Sequence, residues 1–127
     1  MITDEVAKMI LKSYEEAWVE QDTRKILSIF AENGSYQEGL REKFIGHDEI
    51  AKYWDKKVCE EQSNIEFDLV SYHISGDFLI AEWKASFDSD IEKARITVEE
   101  VAIMRIEDGK IKTLKEYWRS KKAPHKP

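Results

Sequence analysis

The stretch ITVEEVAIMRIEDGKIKTLKEYW, running from Ile96 to Trp118, decides how this chain folds. Strand side chains alternate between the two faces of a sheet. Ile96, Val98, Glu100, Ala102, Met104 and Ile106 therefore share one side, and Thr97, Glu99, Val101, Ile103 and Arg105 the other. After the turn, Lys112, Leu114, Glu116 and Trp118 alternate with Ile111, Thr113, Lys115 and Tyr117. Gly109 suits the left-handed position of a three-residue loop with a bulge. That loop pairs Ile106 with Lys110, which puts Ala102 opposite Leu114, Glu100 opposite Glu116 and Val98 opposite Trp118. Two carboxylates then lie side by side on a mostly apolar face. Like charges directly opposite weaken a sheet, and burial adds a desolvation cost. A pocket that moves protons or holds a cation can use such a pair. A two-residue Asp108-Gly109 turn would shift the register by one and separate the acids.

Outward from the hairpin, the order is helices first and strands later. Val6, Ile10, Tyr14, Ala17 and Trp18 form one stripe of a helix over 4–21, with Thr3 as its N-cap. Asp22 caps a second helix over 23–31, which Asn33-Gly34 ends. A short strand follows near Ser35–Gly39. A third helix opens at Gly46-His47-Asp48-Glu49 and buries Ile50, Tyr53 or Trp54, and Val58. Extended segments over 64–74, 78–88, 95–107 and 110–119 complete the chain. In the second of them Leu79, Ala81, Trp83, Ala85 and Phe87 share a face. The fold class predicted is α+β, a curved antiparallel sheet with three N-terminal-half helices on its concave face.

The chain has 127 residues and a net charge of -6, which fits one globular domain and argues against a nucleic-acid binder. The domain is expected over residues 1–120, with the basic 121–127 segment as a disordered tail. No apolar run is long enough to span a membrane, and no signal peptide is expected before the first helix. Cys59 is the only cysteine, so an internal disulfide is excluded and a cytoplasmic protein is expected. His47, His73 and His125 form no ligand spacing with Cys or acidic residues, and no glycine loop suits a phosphate. No cofactor or metal is expected.

The order of elements resembles the nuclear transport factor 2-like superfamily and its SnoaL-like members. Phe30-Ala31-Glu32-Asn33 to Tyr36, Phe44-Ile45-Gly46-His47-Asp48-Glu49-Ile50, Ala81-Glu82-Trp83, and Asp108-Gly109-Lys110-Ile111 to Glu116-Tyr117-Trp118 carry the resemblance, over roughly residues 5–120. It implies a cone-shaped fold, a pocket between sheet and helices, and a homodimer joined through the sheets. Ketosteroid isomerases of this superfamily place an oxyanion-donating tyrosine where Tyr14 falls and a general base where Glu38 falls. Their second acid falls at Ala102. The epoxide hydrolases match Glu116 and Tyr36, while their arginine and second aspartate fall at Trp83 and Ala85. The chain thus keeps half of each apparatus.

Glu38, Glu100, Glu116 and Tyr14 are the candidate catalytic residues. The ligand-binding wall is expected from Trp18, Tyr36, Trp54, Trp83, Ala85, Val98, Ala102 and Trp118. Neighbouring carboxyls in a low-dielectric cavity favour the protonated form, so one can donate while another accepts. The reading is a small-molecule pocket, with acid/base isomerisation, cyclisation or hydration of a small organic molecule as the enzyme hypothesis. The alternatives are a receptor for an organic cation and a dimeric scaffold.

Overall fold

Thr3 starts the first helix by accepting a hydrogen bond from the backbone N–H of Val6 at 3.2 Å. The computed structural model describes residues 2–124. Helix α1 spans Asp4–Val19, and its acidic first turn complements the helix dipole. Ala7, Ile10, Leu11, Tyr14, Ala17 and Trp18 form its buried stripe. Asp22 caps α2, Thr23–Ile29, through the N–H of Lys25 at 3.2 Å. The chain then turns extended at Phe30, earlier than expected. Asn33 and Gly34 lie inside strand β1, Phe30–Glu38, rather than ending a helix.

Strand β2, Lys43–Ile45, leads into α3, Gly46–Trp54, which continues as a π-helical turn over Asp55–Glu60. Four long strands follow: β3 Gln62–Ser75, β4 Phe78–Ser89, β5 Ala94–Glu107 and β6 Lys110–Ala123. Lys121, Lys122 and Ala123 pair with β5, so the strand runs past the tail boundary expected at residue 120. Residues 125–127, including His125, lie outside the described residues. No helix among the described residues is long and apolar enough to cross a membrane.

The α+β class and the three helices are present, but the expected antiparallel cone is not. The six strands are ordered β2-β1-β6-β5-β4-β3, and β1 runs parallel to β6, so the sheet is mixed. It is neither strongly curled nor closed, and ends in the separate edges β2 and β3. The alternation of side chains assigns faces to a strand but says nothing of its direction or of how far the sheet curls. One face carries Tyr36, Leu79, Ala81, Trp83, Ala85, Val98, Ala102, Met104 and Leu114. These residues bury against Ile10, Tyr14, Ile26, Ile50 and Trp54 of the helices. Val101 and Tyr117, cross-strand neighbours on the other face, are exposed.

The β5–β6 hairpin corrects the expected register. Its turn has two residues, Asp108 and Gly109, both at positive φ, with Glu107 facing Lys110 and Ile106 facing Ile111. A bulge then makes Arg105 face Thr113. The turn and the bulge each move the register by one, which restores the original parity. Ala102 now faces Glu116 and Glu100 faces Trp118, so the two acids share a face as diagonal neighbours rather than as an opposed pair. Across the other edge of β6, the residue beside Glu116 is Glu38.

Gly34 occupies the irregular part of the β1–β6 pairing, between Phe30 and Ser35. A Cβ there would lie 2.8 Å from the carbonyl oxygen of Ile111 and 3.0 Å from that of Ala31, both backbone atoms. Gly34→Ala is expected to destabilise the protein by about 1–3 kcal/mol, as overpacking does. The urea midpoint, compared with wild type, checks it.

Candidate active site

A cavity of about 290 Å³ opens between the helices and the sheet. Tyr14 of α1, Tyr36 and Glu38 of β1, Glu100 of β5 and Glu116 of β6 all reach it. Trp18, Trp54, Phe87, Ile96 and Val98 supply apolar wall, and the exposed residues Arg41, Ile91, Glu92 and Trp118 mark its mouth. The edges of the elements explain this convergence. Helical spacing puts Tyr14 and Trp18 on the buried stripe of α1, and strand parity puts Val98, Glu100, Glu116 and Trp118 on one face.

Glu116 is 1% exposed and sits at the centre of a hydrogen-bond network. The Tyr36 hydroxyl donates to its Oε1 at 2.8 Å, and the Tyr14 hydroxyl donates to the same oxygen. The two hydroxyls are 3.4 Å apart. Glu100, also buried, accepts a hydrogen bond from Trp83 Nε1 at 3.0 Å and is hydrogen-bonded to the carboxyl of Glu116. At the side of the cavity, Tyr53 donates to Glu38.

Burial pushes the Glu116 carboxyl up to about 7, and the charge of Glu38 adds to the rise. Hydrogen bonds from Glu100, Tyr14 and Tyr36 pull in the opposite direction, because they stabilise the carboxylate. Glu100 is raised well above the usual carboxyl range, by burial first and then by the charge of Glu116. The asymmetry follows from the donor count. Glu116 receives two phenol donors and Glu100 one indole, so Glu116 ionises first and Glu100 keeps its proton to donate. Tyr14, Tyr36 and Tyr53 are themselves raised by burial and stay protonated donors.

Of the expected site residues, Glu38, Glu100, Glu116, Tyr14, Trp18, Tyr36, Trp54, Val98 and Trp118 line the cavity. Trp83, Ala85 and Ala102 do not. They are buried in the core, where Trp83 bonds Glu100 and Ala102 faces Glu116 across the β5–β6 pair. Tyr53, Arg41, Phe87 and Ile96 also line the cavity and were not expected. Strand parity alone could have placed Phe87 and Ile96. Nothing local in the sequence marks Arg41, which lies in the turn after β1. His47 bonds the carbonyl of Phe30 at 3.0 Å and is occupied with local structure. No cluster of three or more His, Cys, Asp or Glu among the described residues is arranged to hold a metal.

The raised carboxyl makes stability depend on pH. The native state holds the Glu116 proton more tightly than the unfolded chain does. Its stabilising contribution is complete below the ordinary value of 4.5 and is lost as pH rises through about 7. The loss over that window is on the order of 3 kcal/mol. Glu100 extends the decline to higher pH. Urea unfolding across this range is expected to show falling stability in the wild type and a flatter profile in Glu116→Gln.

Comparison with known proteins agrees with this architecture. None of the curated proteins is similar enough to match. A hypothetical protein with a ketosteroid isomerase-like fold from Catenulispora acidiphila, solved in complex with trimethylamine, superposes with a TM-score of 0.76 at 16% identity. That match covers 85% of this chain and 83% of the other. An epoxide hydrolase of the LEH-like type from M. tuberculosis gives 0.76 at 12% identity, covering 91% and 84%. A candidate isomerase from Bacillus subtilis gives 0.81 at 19% identity, covering 94% and 90%. These likenesses show the fold. The model of the SnoaL-like domain matches residues 11–114. The chain belongs to the SnoaL-like family of the nuclear transport factor 2-like superfamily, whose members bind small molecules and in some cases catalyse acid/base reactions.

Proposed function

We propose that this cavity carries out cofactor-independent acid/base chemistry on a small, largely apolar carbonyl compound, as a cytoplasmic homodimer. The observation that carries this reading is the register of β1 and β6, which sets Glu38 beside the buried, proton-retaining Glu116. Neighbouring strands lie about 4.8 Å apart. A base and an acid at that spacing can address two atoms of one ligand.

In an isomerisation, Glu38 takes a proton from the carbon beside the carbonyl while Glu116 gives one to the carbonyl oxygen. For a β,γ-unsaturated ketone the product of that step is a dienol. Glu38 returns its proton at the other end of the conjugated system, and the hydroxyl proton goes back to Glu116. Once Glu116 has given up its proton, Tyr14, Tyr36 and Glu100 are already placed to stabilise its carboxylate. Tyr14 and Tyr36 are positioning residues in this scheme, because their hydroxyls serve Glu116. Trp18, Trp54 and Val98 hold the apolar body and exclude water. The two copies meet through the outer face of the sheet, around Val101 and Tyr117.

The test is turnover of a panel of small β,γ-unsaturated ketones, followed by the absorbance of the conjugated product. Glu38→Gln and Glu116→Gln are each expected to lower kcat/KM by about 100-fold or more, the usual share of general acid/base catalysis. The rate is expected to fall as pH rises through about 7, where Glu116 loses its proton. Activity surviving in the double variant would exclude the roles given to both acids.

A second reading is a receptor for an organic cation, supported by three acids among tryptophans and by the trimethylamine bound to the Catenulispora relative. A bound ammonium would favour the charged form of Glu116 and expel its proton. Calorimetry of trimethylamine in buffers of different ionisation enthalpy, below the titration point of Glu116, is expected to show proton release under this reading. The release would be lost in Glu116→Gln. No release, with neutral ketones bound instead, returns the site to the acid/base reading.

A further inference from the structure

Arg41 stands at the cavity mouth in the turn between β1 and β2, its guanidinium 5.6 Å above the ring of Trp118. The turn is fastened to the acids of the site through the backbone. Gly39 N–H donates to the carbonyl of Glu116 at 2.7 Å, and Arg41 N–H donates to the carbonyl of Glu38 at 2.9 Å. The side-chain amide of Gln37 adds a bond to the carbonyl of Arg41 at 3.0 Å. The backbone of Arg41 is therefore tied to the strands that carry the two carboxyls.

The other charges at the mouth have partners. Lys57 lies 3.5 Å from Glu61, and Glu92 pairs with Lys122. Glu38 holds the hydroxyl of Tyr53. Among the described residues, the guanidinium of Arg41 has no carboxylate within ion-pairing distance, although Glu38 is only three residues away in the chain. It lies on the indole instead. Among the described residues its forked N–H donors make no hydrogen bond or ion pair, so they are free for a ligand.

We infer that Arg41 is a specificity residue that grips a carboxylate on the outer end of the ligand, so that the substrates of this site are small aryl or alkyl acids whose reacting end reaches Glu38 and Glu116. The inference rests on the cavity being a small-molecule site, as proposed above. A planar fork matches a carboxylate in two parallel hydrogen bonds, and a neutral amide satisfies it less well. Anchoring one end fixes how deeply the other end penetrates, which is what positions a reacting carbon between two carboxyls.

The test uses aryl-alkanoates with two to four methylene groups, each beside its own carboxamide, with dissociation constants measured by calorimetry. The wild type is expected to bind at least one acid about tenfold more tightly than the matching amide, the value of one charge-assisted hydrogen bond. Arg41→Gln is expected to remove that preference while leaving the melting temperature of the free protein unchanged. A preference that persists in Arg41→Gln overturns the inference, as does a wild type that favours no acid over its amide. The ratio is a binding quantity and needs no turnover. Its failure leaves the acid/base reading standing, and inactivity toward ketones leaves the ratio interpretable.

Discussion

The arrangement of this protein depends on keeping one carboxyl, that of Glu116, inside an apolar interior. A charge buried without partners costs several kcal/mol, so the group either holds its proton or collects donors. Here it does both. Tyr14 comes from a helix, Tyr36 from one neighbouring strand and Glu100 from the strand on the other side. Trp83, from the next strand, completes the chain of bonds through Glu100. The polar network therefore ties α1 to four adjacent strands. Its register is specified more tightly than hydrophobic packing alone would achieve, since each member leaves another unsatisfied if it moves.

Aromatic packing supplies the rigidity that such a network needs. The ring of Tyr14 meets Trp54 edge-on at 5.9 Å and Trp18 at 6.3 Å, and lies 4.9 Å from Trp83. Pairs of this kind are worth about 0.5–1.5 kcal/mol beyond the area that they bury. The indole N–H groups are used as well: Trp18 donates to Gln62 at 2.8 Å and Trp54 to the carbonyl of Ala17 at 3.3 Å. Gln21 then holds the carbonyls of Val58 and Gln62, which fastens the π-helical turn and the start of β3 to the end of α1. The wall of the cavity is thus stiff on the helix side. The mouth, built from the turns around Arg41 and Ile91, is exposed.

The parts of this structure that were legible in the sequence are those set by short-range geometry. Thr3 and Asp22 cap helices as their side chains suggest, and the stripe of α1 follows from its spacing. Face assignments in β4, β5 and β6 follow from alternation, so Glu100 and Glu116 were placed on one face, although not as the diagonal neighbours that they are. Their separation was not legible, because Asp-Gly suits a two-residue or a three-residue turn and the bulge beyond it is chosen by packing. Asn33-Gly34 resembles a helix end in isolation, yet the close approach of Gly34 to Ile111 assigns it to a strand. The neighbour relation of Glu38 and Glu116 depends on parallel pairing between strands some eighty residues apart in the chain. No local pattern records that pairing, and for the same reason the open, mixed sheet did not show in the alternation.

The bulge after the β5–β6 turn has a bearing on how such hairpins can diverge. Strand side chains repeat every second residue, so losing the single extra residue would carry Glu116 outward and bring Tyr117 or Lys115 into the interior. Descendants of this hairpin can therefore lengthen or shorten only in steps that keep the count even. An odd change survives only if a second one compensates it nearby. The same rule makes the loop length, which looks like a neutral trait, a record of whether a lineage has kept its inward-facing acids.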